Sequence, residues 1–280
     1  MLGVGAKHTW LAVLLLLAGA CAALETGADT VATGSSAELA EFAITAVVVA
    51  VADGDSFRAE SAGAEFEVRL LGVNAPESDE CYGPEATTWL RAAVDDREVG
   101  LDPAGEDQFG RMLARVLVDG VYLNREAVST GHALVLSSVE MDVETLLEAE
   151  RGARRAGLGL WGEDICGATA ARASLAITRV DHDPPGPDET ETVTIENVGT
   201  GAVELQGFQL RDESSANRFR FPSYELLPGR SVTVVSGSGD IGSGTFGWRT
   251  TQPVWNNDGD TALVLDAHGR IVAAYRYPPR

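Results

Sequence analysis

At 280 residues the chain has room for one or two domains, and its 45% hydrophobic content can fill them. Twenty-one basic side chains face 42 acidic ones, and the net charge of −21 argues against a nonspecific nucleic-acid scaffold, because such a chain repels polyanions at long range. The balance still allows an enzyme that gathers a few arginines and a divalent cation at one cleft, and composition alone leaves the fold class open.

The elements in chain order begin with a targeting segment over residues 1–21. Lys7, the only lysine, precedes the apolar run Trp10–Ala18, which is too short to span a bilayer. The stretch Leu17-Ala18-Gly19-Ala20-Cys21 resembles a bacterial or archaeal lipoprotein cleavage box, with Ala18 where a leucine is commoner. That resemblance implies export, lipidation of Cys21 and a membrane anchor in the cell envelope; cleavage nearby and full secretion is the alternative. Residues 22–41 are small, polar and acidic, and read as a flexible linker. The remaining cysteines, Cys81 and Cys166, would form a disulfide bond in an oxidising compartment, against the reading of two isolated buried thiols.

From Phe42 the pattern turns to strands. Ile44, Val47, Val49 and Val51 mark the first, Asp53-Gly54 a turn, and Ser56–Glu60 and Glu65–Val73 the next two, with Phe66, Val68 and Leu70 alternating. Pro84 predicts the first turn of a helix reaching about Asp96. Strand returns at Leu101 and over Met112–Val118, and Asp119-Gly120 reads as a hairpin turn. Helices are expected over Leu123–Thr130 and over Val143–Ala156, the latter with Leu146 and Leu147 inward and Gly157 as its stop. Strands first and helices later around one sheet give an α+β domain with a small barrel, spanning 42–166. Beyond Cys166 the helical period is lost. Short runs at Leu175–Val180, Glu191–Ile195, Val203–Leu210, Ser231–Val235, Ala262–Leu265 and Ile271–Tyr275 predict an all-β sandwich over 173–280.

Four motifs carry the chemistry: Asp53-Gly54-Asp55-Ser56, Arg69–Glu77, Tyr82–Ala86 and Asp107–Arg111. Singly each has a structural explanation. Together they supply oxygen ligands for a hard cation, a carboxylate to activate water and two planar cations for phosphate oxygens. The ordered set resembles the staphylococcal nuclease family over about 43–162. By that resemblance Asp55, Asn74 and the Ala75 carbonyl are ligands of a calcium ion (Ca2+), Glu77 is the general base, and Arg69 and Arg111 grip the phosphate. It also implies a five-stranded barrel of the oligonucleotide-binding (OB) type packed by three helices. The departures are Asn74 for an aspartate, Ala75 for a threonine, Phe109 for a tyrosine, and Ser137 and Val139 for base-stacking tyrosines.

Trp89 and Trp161 are expected to pack helices on the barrel. His132 follows Gly131 and could titrate near neutrality, without a catalytic partner. Residues 173–280 resemble lamin-tail domains, a compact immunoglobulin-like sandwich, on Ile177–Val180, Asp188 with Glu191–Asn197, Leu205–Asp212, Leu227–Val232 and Val254–Asp260. The resemblance implies attachment or substrate presentation, with a ligand still to be identified. Asn257–Asp260 is read as a hairpin turn, being too short for a calcium loop. The expectation is therefore an extracytoplasmic, calcium-dependent endonuclease acting on DNA or RNA as a monomer. Its alternative is an anchored nucleic-acid or envelope-binding protein with weak or no nuclease activity.

Overall fold

The strand pattern of the first half closes into a barrel. The computed structural model describes residues 43–136, 142–168, 172–184, 190–214, 217–237 and 242–277, all within one compact unit. Cys21, the signal and the linker, together with Ser137, Val139 and Asp188, lie outside the described residues. The first strands are β1 (Ile44–Val51), β2 (Ser56–Ser61), β3 (Ala64–Leu70) and β4 (Val73–Asn74). After helix α1 (Gly83–Val94) come β5 (Glu98–Glu106), β6 (Met112–Val118) and β7 (Val121–Tyr122). Helix α2 (Leu123–Ser129), β8 (Leu134–Val135) and α3 (Val143–Ala156) complete this half. The order β3-β2-β1-β5-β6 is closed by a parallel β3–β6 pairing that sets Val68 opposite Met112, so five strands form the barrel.

Local chemistry accounts for these elements. Val68 and Leu70 point inward on β3. On β1 the inward positions are Ala46 and Val48, and Val47 and Val49 face solvent. The β6–β7 hairpin turns at Asp119-Gly120, both at positive φ, as a two-residue turn with right-handed strand twist requires. Helix α1 starts with Pro84 in its first turn and buries Ala86, Leu90 and Val94. Helix α3 ends on Gly157 at φ 63°, and Leu146 is buried beneath it.

The second half is all β. It comprises β9 (Leu175–Asp181), β10 (Thr192–Asn197), β11 (Val203–Glu204), β12 (Gln209–Arg211), β13 (Arg218–Arg220) and β14 (Glu225–Leu226). These are followed by β15 (Ser231–Ser236), β16 (Thr245–Trp248), β17 (Asp260–Leu265) and β18 (Ile271–Tyr277). Two four-stranded sheets, β16-β15-β10-β9 and β13-β12-β17-β18, face one another over a core that includes Ile195, Leu210, Val232 and Val264. The run expected as one strand over Val203–Leu210 is two, because the chain turns at Gly207 (φ 84°) with Phe208 N–H donating to the Leu205 carbonyl. Asn257–Gly259 is a loop feeding β17 at Asp260 and not a hairpin turn; Asp260 accepts from the Asn256 and Thr261 backbone N–H groups.

All six residues of β17 are buried, because the strand is covered on both faces. Val264 faces the sandwich core, whereas Leu263 and Leu265 join Leu134, Leu160 and Trp161 in a third apolar cluster. That cluster joins the two halves. Trp161 therefore sits in the cluster between the two halves and not in the barrel core, with the Arg154 guanidinium 4.7 Å from its ring. The Cys81–Cys166 disulfide, Cα–Cα 5.4 Å, lies at the same junction, and Gly269 (φ 85°) packs so closely on Cys81 that an added Cβ would sit 2.8 Å from the Cys81 Cβ.

Candidate active site

Strand register assembles the motifs at one end of the barrel. Asp55 sits at the turn before β2, Arg69 near the end of β3 and Asn74 at the end of β4. Ser56 pairs with Arg69, and the Leu70 N–H donates to the Asp55 carbonyl at 2.9 Å, so Asp55 and Arg69 lie side by side. On the other edge of β3, Arg69 is opposite Leu113, which brings the Asp107–Arg111 loop to the same end. Gly72 turns at φ 75° between β3 and β4, and Asn74 is then fixed by pairing with Leu134.

The guanidinium of Arg69 spans the two oxygen-bearing side chains. Its Nη1 donates to Asp55 Oδ1 at 2.5 Å and its Nη2 to Asn74 Oδ1 at 2.7 Å. Asp55 Oδ1 also accepts from the Ser56 hydroxyl, and Oδ2 from the Ala75 N–H at 2.8 Å. Asp55 is 2% exposed, and burial pushes its carboxyl up to about 6 against the opposing pull of Arg69. Two side-chain oxygens thus converge on one positive group, with Ala75 next in sequence, and every donor is a hard oxygen. Such a set suits calcium better than a thiophilic metal. Among the described residues no group of three or more His, Cys, Asp or Glu is placed to hold a metal, so the set would rest on one carboxylate, one amide and a carbonyl.

The open cleft above them, about 690 Å³, is lined by Arg69, Asn74, Glu77 and Arg111, with Ser214 and Arg218 of the sandwich on its wall. Asp55 and Ala75 are buried beneath. Glu77 is exposed, and its backbone N–H donates to Glu80 Oε2 at 3.0 Å. Arg111 is held by Asp107, whose Oδ2 accepts from its Nε at 2.7 Å while Oδ1 accepts from the Phe109 and Arg111 N–H groups. A second tie runs from Arg111 Nη1 to the Ser56 hydroxyl at 3.3 Å, leaving one edge of the guanidinium fork for a ligand. Phe109, 73% exposed, lies 5.4 Å from the Arg111 guanidinium carbon.

Sequence reasoning gave Asp107, Glu80, Glu213 and Arg218 no role, although the first three touch site residues and Arg218 lines the cleft. For Asp107 the signal was present: an Asp followed by Gly110-Arg111 is the composition of a side-chain-capped turn. For Glu213 and Arg218 there was none, since they come from the other half. His132 is outside the cleft, stacked on Trp89 at 4.9 Å and within reach of Tyr82 and Thr130. Burial lowers it to about 4, so it does not titrate near neutrality.

A family model described as a staphylococcal nuclease homologue matches residues 67–163, the segment that carries Arg69, Asn74, Glu77 and Arg111. An uncharacterized endonuclease of Escherichia coli O157:H7 is 32% identical over 118 residues, which cover 41% of this chain and 76% of that protein. This chain belongs to the staphylococcal nuclease family. An uncharacterized endonuclease of Haemophilus influenzae is 31% identical over 121 residues, 43% of this chain and 67% of that protein. A probable staphylococcal-like nuclease of Oryza sativa subsp. japonica is 31% identical over 100 residues, covering 36% of this chain and only 20% of the rice protein. To the nuclease domain this chain adds a second one, since a Lamin Tail Domain model matches residues 168–279.

Proposed function

We propose that the protein is an extracytoplasmic, calcium-dependent endonuclease that hydrolyses DNA or RNA and is held to the cell envelope by lipidated Cys21. The observation that carries this reading is the convergence of Arg69, Asn74, Glu77 and Arg111 on one cleft above the buried Asp55. Glu77, exposed and aimed at that cleft, orients a water and takes its proton as the water oxygen bonds to phosphorus and the bond to the leaving oxygen breaks. Arg69 and Arg111 bind the non-bridging oxygens, on which charge builds in the five-coordinate transition state. Calcium, held by Asp55, Asn74 and the Ala75 carbonyl, would supply charge neutralisation at the phosphate. Arg69 would then move from its present double contact toward the substrate.

The Cys81–Cys166 bridge supports the extracytoplasmic part of the reading, because such bonds persist in oxidising compartments. The mature protein should cleave single-stranded DNA with calcium, and a chelator should abolish the cleavage. Binding without cleavage at any calcium concentration would instead favour the anchored binding protein. Mass spectrometry of the mature N-terminus tests the anchor: a diacylglycerol adduct on Cys21 is expected, and an unmodified N-terminus elsewhere overturns it.

A further inference from the structure

Among the described residues, the lamin-tail domain meets the short segment 73–80, which carries the base and two of the ligand positions, and the strand β8 paired with it. The first is Asn74, whose Nδ2 donates to the Glu213 carbonyl at 3.1 Å while its Oδ1 stays with Arg69. The second is an ion pair between Arg218 and Glu80 Oε1; the other oxygen of Glu80 accepts the Glu77 N–H. The third runs through β8, where Arg276 Nη2 donates to the Val135 carbonyl at 3.1 Å, and β8 pairs with the strand ending in Asn74. Arg211, 2% exposed at the end of β12, is drawn electrostatically to Asp212 and Glu77.

We propose that strands β12 and β13, with Asp212, Glu213 and Ser214 after β12, form a working wall of the hydrolytic site. In it the Glu213 carbonyl and Arg218 are positioning groups for Asn74 and for Glu77. The inference rests on the endonuclease reading of the cleft given above.

It explains the amide at position 74. An aspartate there has no N–H for the Glu213 carbonyl, and its charge would meet that carbonyl oxygen instead. Asn74 keeps one oxygen for the cleft and uses its nitrogen to bind the second domain. The Glu80–Arg218 pair works one step further out. A carboxylate that accepts a backbone N–H holds the Glu77 loop only while its own second oxygen is anchored, and Arg218 is that anchor.

The test uses the full chain. Arg218→Ala and Glu80→Ala should each lower kcat about tenfold, as loss of an outer orienting partner does, with KM little changed. The double variant should be no worse than either single one, and Arg218→Lys should recover most of the rate. Asn74→Asp should lower kcat, whereas an Asn74 that is only a weakened calcium ligand would give a rise. A loss for Arg218→Ala confined to KM would make Arg218 a substrate contact and overturn the positioning role, as would an unchanged kcat.

Amide hydrogen exchange at Glu77 separates this inference from the nuclease reading. In Arg218→Ala, and in Glu80→Ala if the first fails to fold, the Glu77 amide should exchange about tenfold faster. If the parent protein does not cleave, the nuclease reading falls, and exchange alone decides the contact. Unchanged exchange overturns the positioning.

Discussion

The two sheets of the lamin-tail domain have the same number of strands and opposite surroundings. The β16-β15-β10-β9 sheet buries one face: β10 alternates between buried and half-buried positions along its length, and Glu196 and Thr194 stay partly in water. The β13-β12-β17-β18 sheet has a strand buried on both faces and carries Arg211, Asp212, Glu213 and Asp260 in the dry. Buried charge in an otherwise apolar sandwich is costly unless it is partnered. Here the partners include the nuclease half. The difference between the sheets teaches that the second one is built as an interface, and that its polar residues are chosen for what they hold across it.

The largest effect expected sets the nuclease half by itself. Glu77→Gln should lower kcat about 10²–10⁴-fold, because it removes the base while keeping the side chain's size. A steady-state assay with calcium reads it, and near-normal turnover would remove Glu77 from its role. Next comes the junction. Cys166→Ser opens the loop closed over 85 residues and should cost about 4 kcal/mol in chain-entropy terms, measured by denaturant unfolding. Leu263→Ala removes an apolar side chain, 1% exposed, that faces the nuclease half, and should cost about 3 kcal/mol. If both halves lose stability together in one calorimetric transition, the sheet is an interface; if only the sandwich melts earlier, the comparison drawn above fails.

A smaller effect follows from His132. Its folded-state value of about 4 lies below the unbound 6.5, so the unfolded chain takes up the proton first as the medium acidifies. Stability from this group is present above pH 6.5 and is lost as pH falls toward 4. His132→Gln should flatten that limb of a stability–pH curve, and an unchanged slope assigns it elsewhere. The smallest change should come from Arg58→Ala. Its pair with Glu65 is more than half exposed on both sides and should be worth less than about 1 kcal/mol.

Much of this was legible in the residues. Alternation marked β3, Asp-Gly marked the β6–β7 turn, and Pro84 with Gly157 bracketed helices, because each of these signals depends on a few neighbours along the chain. The site residues were legible as an ordered set, since the barrel's register brings those motifs together. What the sequence did not reveal is which surface of each domain the other covers. Arg211-Asp212-Glu213 has the composition of a solvent loop and is buried, and two of its partners, Asn74 and Glu77, lie more than a hundred residues away in sequence. One clue was available. Ala262–Leu265 is an unbroken apolar run with no polar alternate, the pattern of a strand covered on both faces.

That doubly covered strand also bears on modularity. A gene fragment ending near residue 168 would encode every residue of the cleft except Ser214 and Arg218. It would also bare Leu134, Leu160 and Trp161 to water, an adhesive patch on an otherwise acidic surface. Such a fragment would be expected to self-associate when expressed, however intact its barrel. The two domains are thus one unit of inheritance, and neither can be exchanged for a homologous half without redrawing β17 and the surface it meets.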